Sequence, residues 1–322
     1  MVRDITINTV RAAVPRISRV ARRTPLVRLD PVSRDMPEIY LKLEVFQPIG
    51  SFKIRGAMNA VAKLSASELA DGVWTVSAGN AAQGVALAAR EAGTRATVLV
   101  MDTAPATKLA AIERLGASIV KATYDECWKA VETRQSDRMP GRLVHPFDDD
   151  DFISGNGTVA LEILEDEPEV DAVIAPIGGG GLLAGIGCVM QALRPEARVY
   201  GAEPATAAPL AASLAAGAAV RFDGWQASFV DGAGGKSVLP SMWPLLESTV
   251  SESIVVSLDE AAQAMRFVAE RARVVIEGAA ACAVAAARSP RVKAAGHRKI
   301  VAVVSGGNID LPRFAQLTGL CS

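Results

Sequence analysis

The sequence predicts an α/β protein with a largely parallel sheet and two lobes, and three observations carry that reading. Short runs rich in valine and isoleucine alternate with alanine-rich helical stretches, the pattern of strands connected through helices. Half of the residues are apolar and only 21% are charged, so a large core can be buried. At 322 residues the chain is long for one core, which favours two lobes.

Each element follows in order. "IYLKLEVF" reads as a strand that leads through the turn "QPIG" into "GSFKIRGA", where a helix begins. "GVWTVSA", "RATVLVM" and "ASIVKA" are strand-like, and the helical "VALAAREAG" follows the first of them. The acidic run at 148–151 reads as a solvated turn that caps the helical "FISGNGTVALEIL". "DAVIAPI", "RVYGAE" and "KIVAVVS" are further strands. A self-contained set of strand and helix signals lies between Ala70 and His145, which sets lobe boundaries near 66 and 150. The expected division is 1–65 with 151–322 as the large lobe, and 66–150 as the small one.

Composition excludes several functions. A net charge of -1 with no long basic block argues against a nucleic-acid or anionic-membrane partner, and small neutral or zwitterionic partners fit better. Residues 172–193 carry no charge, but Pro176 and four glycines interrupt them, so a buried strand, loop and helix are expected rather than a membrane span. The charged N-terminal stretch shows no targeting signal, and a cytoplasmic protein is expected. Cys127, Cys188, Cys282 and Cys321 have no paired spacing and suggest neither a disulfide framework nor a metal site. His145 and His297 lie in no ligand-like or triad-like cluster.

Four features carry chemistry. Lys53 sits between Phe52 and Ile54 at a helix start. It is either a lysine buried in an enclosed site, with a lowered pKa and a nucleophilic amine, or a surface lysine whose stem packs while its head reaches water. Gly178, Gly179, Gly180 and Gly181 join "DAVIAPI" to the helix "LLAGIGCVMQAL", as a phosphate cradle at a helix N-terminus requires. Gly179, Gly181 and Ala184, with Glu203 further on, also fit a loose dinucleotide fingerprint. "SAGNAAQG", residues 77–84, is either a carboxylate-binding loop or an ordinary helix cap. Ser305 ends a strand, where open α/β sheets hold ligands.

From "RTPLVRL" and "LKLEVFQPIGSFKIRGA" through "SAGNAAQG", "HPFDDDDFISGNGTVALEIL", "PIGGGGLLAG" and "YGAEP" to "VSGGNIDL", the chain resembles the fold-type II pyridoxal-phosphate enzymes of the serine/threonine dehydratase and serine racemase group. The resemblance implies two open, mostly parallel sheets flanked by helices, with pyridoxal 5'-phosphate in the cleft between the lobes, and a homodimer. It also implies that Lys53 binds the cofactor aldehyde, Phe52 flanks the ring, Asn80 bonds the ring hydroxyl, Gly178 to Gly181 hold the phosphate and Ser305 bonds the pyridine nitrogen. Ser77 and its loop, with Ala78 and Gly79, would take the substrate carboxylate. The implied reaction is β-elimination from a β-hydroxy amino acid to a 2-oxo acid and ammonia. A racemase or a β-replacement synthase of the same fold and, outside it, an NAD-dependent oxidoreductase are the alternatives.

Departures from the family pattern sharpen the expectation. Ala78 stands where serine racemases carry a second serine, which argues against racemisation. Pro209 stands where a carboxylate would complete a cation site with Glu203, so no metal is expected beyond that residue. The loop "SAGNAAQG" lacks the threonines of the synthases. Ala81 replaces a histidine and Trp128 a basic residue, which suggests a wider, less polar pocket for a bulky substrate such as 3-phenylserine. No regulatory domain follows "VSGGNIDL", so feedback control by an amino acid is not expected.

Overall fold

The computed structural model describes residues 3–29 and 37–320. Cys321 lies outside them. Ten strands occur among the described residues: β1 (Leu26–Arg28), β2 (Glu38–Leu43), β3 (Val73–Val76), β4 (Ala96–Met101), β5 (Ser118–Ala122), β6 (Arg142–Leu143), β7 (Ala172–Pro176), β8 (Arg198–Pro204), β9 (Glu252–Val256) and β10 (Lys299–Val304). They form a six-stranded sheet in the order β1-β2-β10-β7-β8-β9 and a four-stranded sheet in the order β5-β4-β3-β6. All pairings are parallel except that of β1 with β2.

The two central strands of the larger sheet, β7 and β10, are apolar apart from Lys299 because helices cover both faces. All five residues of β7 are buried, as are five of the six in β10. One face packs on Leu258–Ala272 and Gly278–Ala287, the latter a helix of alanine, valine and cysteine buried on every side. The other face packs on Asp150–Asp166 and Gly181–Leu193. The smaller sheet shares its core with the helices Lys53–Ala62 and Asn80–Glu91. Lys53–Ala62 also packs on Asp150–Asp166, so the helix that begins with Lys53 lies between the two sheets.

That helix is held by a buried ionic cluster. Arg55 donates to both oxygens of Glu44 at 2.8 Å and to those of Glu162 at 2.7 and 2.9 Å. Lys42 donates to Glu162 at 2.6 Å and Thr24 to Glu44 at 2.6 Å. This explains one departure from expectation. "IYLKLEVF" is not a continuous strand: β2 ends at Leu43, and Glu44–Phe46 form a 3-10 turn that brings Glu44 onto Arg55.

The acidic run also departs from expectation. Asp149 does cap the helix, accepting from the Phe152 amide at 2.9 Å. Asp148, however, is buried rather than solvated, and it accepts from Arg3, Arg134 and Ser241. Edge strand β9 was not singled out by the sequence reading, because "ESIVV" is short and half exposed. No helix among the described residues is long and apolar enough to cross a membrane.

Candidate active site

A cavity of about 440 Å³ opens between the two sheets, within the roughly 300–1,000 Å³ range of small-molecule sites. It lies at the carboxyl ends of β3, β7 and β10, which lead into Ser77, into Gly178 after Ile177, and into Ser305. Lys53, Phe52, Asn80, Ala81 and Trp128 line the same cavity, as do Ala78, Gly79 and all four glycines. The structure therefore brings together every cofactor and substrate residue expected from the sequence.

Lys53 is half-buried in the cavity wall. Its Nζ donates to the Pro146 carbonyl at 2.6 Å and lies 5.2 and 5.4 Å from the ring centroids of Phe52 and Phe152. Burial lowers its pKa to about 8, and the charge of Glu277 works against that lowering. At pH 7 about a tenth of an amine with that pKa is uncharged, against well under a hundredth at the ordinary lysine value.

The glycine loop is shaped by close approach. A Cβ on Gly179 would stand 2.1 Å from the Phe147 ring, and one on Gly178 or Gly181 would stand 2.6 Å from a backbone carbonyl. Gly180, with φ of 92°, adopts the left-handed conformation that opens the helix Gly181–Leu193. Among the described residues the amides of Gly178, Gly179 and Gly180 donate to no other backbone group, so they remain available to an anion.

Ser77 accepts from the Gly79 amide at 3.1 Å, which curls the loop before the helix Asn80–Glu91. The first-turn amides of that helix have no intrahelical acceptor. Asn80 is held on both sides: Nδ2 donates to Glu277 at 2.9 Å, and Oδ1 accepts from Asn308 at 2.7 Å. Ser305 is 2% exposed and lines the cavity. Trp128 is half buried and packs with the large-sheet cluster as well as on the cavity wall.

Glu203 lies elsewhere. Its carboxylate accepts from the amides of Leu210 and Ala211 at 2.8 and 2.9 Å and from Ser253 at 2.6 Å, so both oxygens serve a helix start. His145, buried beside the cavity, has a pKa lowered to about 4 by desolvation, and its Nδ1 accepts from the Asp148 amide.

Several cavity residues escaped the sequence reading. Glu277 precedes an apolar run and reads as a helix cap, and Asn308 sits in the quoted "VSGGNIDL" without a role. Lys108 and Tyr124 of the small-sheet side and Asp231 of the large-sheet side also reach the cavity. Lys108 pairs with Asp231 across its mouth. Nothing local in the sequence brings those two together.

An amine with a lowered pKa, a cradle of amides that no side chain can enter and a neutral serine at the end of β10, all lining one cavity, match the aldehyde, phosphate and ring nitrogen of pyridoxal 5'-phosphate in number and kind. Fold and site thus define a fold-type II pyridoxal-phosphate enzyme. The family profile described as "Pyridoxal-phosphate dependent enzyme" matches residues 17–306, and the chain belongs to that family. It is 39% identical over 310 residues to an L-threonine ammonia-lyase of Thermotoga maritima, covering 95% of this chain and 76% of that protein. It is 34% identical over 314 residues to an L-threo-3-hydroxyaspartate ammonia-lyase of Saccharomyces cerevisiae, covering 97% and 96%. The structure of maize serine racemase superposes with a TM-score of 0.89 at 34% identity, over 97% of this chain and 96% of that one. The chain is a pyridoxal-phosphate-dependent lyase of the threonine dehydratase type, within the dehydratase and serine racemase group.

Proposed function

We propose that the enzyme removes water and then ammonia from a β-hydroxy amino acid with a bulky apolar side chain, of the 3-phenylserine type. The observation that carries this reading is the cavity wall beside the "SAGNAAQG" loop, where Ala81 and Trp128 meet Val76, Leu99 and Met101. An aromatic substrate gains roughly 0.5–1.5 kcal/mol from an aromatic neighbour beyond simple burial. The methyl of Ala81 leaves room for it.

Pyridoxal 5'-phosphate, when bound, supplies the electron withdrawal that makes a Cα proton removable. Lys53 would hold the cofactor and, once displaced by the substrate amine, act as the base nearest that proton. Gly178 to Gly181 would bind the phosphate through their amides, Phe52 would flank the ring and Asn80 would bond the ring hydroxyl. Ser305 would face the ring nitrogen as a neutral partner, which favours elimination over transamination. Ser77, Ala78 and Gly79 would bind the substrate carboxylate at the start of the helix Asn80–Glu91.

Ala78 offers no hydroxyl to return a proton from the opposite face, which supports elimination over racemisation. In this reading the lobes are 1–65 with 151–322 and 66–150, and the enzyme works as a homodimer in the cytoplasm. Sedimentation of the purified protein tests the dimer.

Comparison of kcat/KM for serine, threonine and 3-phenylserine tests the substrate. The expected order places 3-phenylserine first. Trp128→Ala should reduce its advantage over threonine by roughly 2- to 10-fold, and Ala81→His should reduce it as well. Poorer turnover of 3-phenylserine than of threonine would sink the proposal.

A further inference from the structure

Glu277 occupies the N-cap of the buried helix Gly278–Ala287, where a side chain commonly accepts from the first turn, yet it makes no such bond. Its carboxylate turns to the cavity instead, and Oε1 accepts from Asn80 Nδ2 at 2.9 Å. The backbone behind it is fixed, because the Glu277 amide donates to the Gly306 carbonyl at 3.1 Å. A Cβ on Gly306 would stand 2.7 Å from Oε1, so the carboxylate fills the space that glycine leaves.

The other side of Asn80 is equally constrained. Asn308 Nδ2 donates to Asn80 Oδ1 at 2.7 Å and to the Ile49 carbonyl at 2.8 Å. A side-chain amide gripped by an acceptor on one end and a donor on the other has a single orientation. Among the described residues no arginine or lysine forms an ion pair with Glu277, although it is only 6% exposed. The charged groups that face it are Lys53 from Lys53–Ala62, Lys108 from Ala106–Glu113, and Asp231 from the loop before residue 232. Glu277 and Lys53 line the same cavity, and a buried carboxylate without an ion-pair partner in a cavity that also holds an amine is an arrangement found at functional sites.

We propose that Glu277 is a positioning residue for the lyase reaction, holding the Asn80 amide in one orientation and serving as the counter-charge of the Lys53 amine. The first half rests on the reading of Asn80 as a cofactor contact; the second does not. The electrostatics agree with the geometry. Burial pushes the Glu277 carboxyl up to about 7, while its charge opposes the lowering of Lys53. The two groups therefore titrate in adjacent pH ranges, Glu277 at about 7 and Lys53 at about 8.

Two measurements on apoenzyme test the two halves. In the first, trinitrobenzenesulfonate labels Lys53 as a function of pH, with the label located by peptide mapping. Loss of the counter-charge in Glu277→Gln should move the midpoint of labelling down by about half a pH unit or more. An unchanged midpoint would overturn the counter-charge. In the second, the cofactor dissociation constant is measured for Glu277→Gln, Glu277→Ala, Asn80→Ala and the double variant of the two alanines.

Gln keeps an acceptor for Asn80 and should bind within about threefold of wild type, whereas each alanine should weaken binding about tenfold or more. The double variant should be no weaker than the weaker single one, because both remove the same contact. Fully additive losses would overturn the positioning role. If Asn80→Ala binds cofactor as tightly as wild type, the Asn80 reading and the positioning half fall together, while the labelling midpoint still decides the other half. The isosteric Gln variant carries both tests if Glu277→Ala does not fold.

Discussion

The amide of Phe52 donates to the carbonyl of Ser305 at 3.0 Å. Ser51 and Gly306 pair in an antiparallel bridge beside that bond. The loop that presents Lys53 and the loop that ends β10 are therefore one unit, although they lie at opposite ends of the sequence. The lysine and the serine that would meet opposite parts of one cofactor ring share a rigid base.

Lys53 is the first test. Lys53→Ala should abolish the visible absorbance of bound cofactor that borohydride bleaches in the wild type, and turnover should fall by more than about a thousandfold. The label left by borohydride should map to Lys53. Full turnover in the alanine variant would remove the lysine from the mechanism.

Gly179 tests the cradle. Its Ala variant places a methyl inside the Phe147 ring, so the ring and the loop must part. Overpacking of this kind costs about 1–3 kcal/mol. Thermal unfolding should register that loss, and cofactor titration of the folded fraction should show at least about tenfold weaker binding. A variant with native stability and affinity would mean that the loop is looser than its contacts imply.

The cluster behind the lysine makes a prediction about stability. Glu44 and Arg55 are both buried, so Glu44→Ala leaves a guanidinium with one of its two carboxylate partners gone. Breaking a buried pair in this way costs about 3–5 kcal/mol. Denaturant unfolding should show a loss of that size. A loss below about 1 kcal/mol would show that Glu162 alone satisfies Arg55.

Acid stability tests the buried titrating groups. His145 has a folded pKa lowered to about 4, so its contribution is present above pH 6.5 and is lost as pH falls toward 4. Glu277 has a folded pKa raised to about 7, so its contribution is present below pH 4.5 and is lost as pH rises toward 7. The two oppose each other between about pH 4.5 and 6.5. Relative to wild-type apoenzyme, Glu277→Gln should gain stability with rising pH across that window, and His145→Asn should lose it, by at most about 1.4 kcal/mol per pH unit for each group. Parallel stability curves for all three proteins would show that neither group titrates as its burial implies.

Local chemistry made much of the enzyme legible in the sequence. Valine-rich runs, the Gly178 to Gly181 loop, the lysine after Phe52 and the serine that ends "KIVAVVS" point to strands, an anion-binding loop, an amine and a neutral polar group at a strand end, because each is a property of a few adjacent residues. The fold class, the cofactor and the reaction type followed from those motifs in order. The partnership of Glu277 with Asn80, the burial of Asp148 between Arg3 and Arg134, the ionic cluster that ends β2 early and the Lys108–Asp231 pair at the mouth did not follow. Each includes a residue far away in the chain, as with Arg3 on Asp148 and Glu162 on Arg55, so its full energy exists only after the elements have packed. Glu277 shows why most directly. As a letter before an alanine run it is a helix cap, and only the packed loop of Gly306 and Asn80 turns its carboxylate toward the cavity.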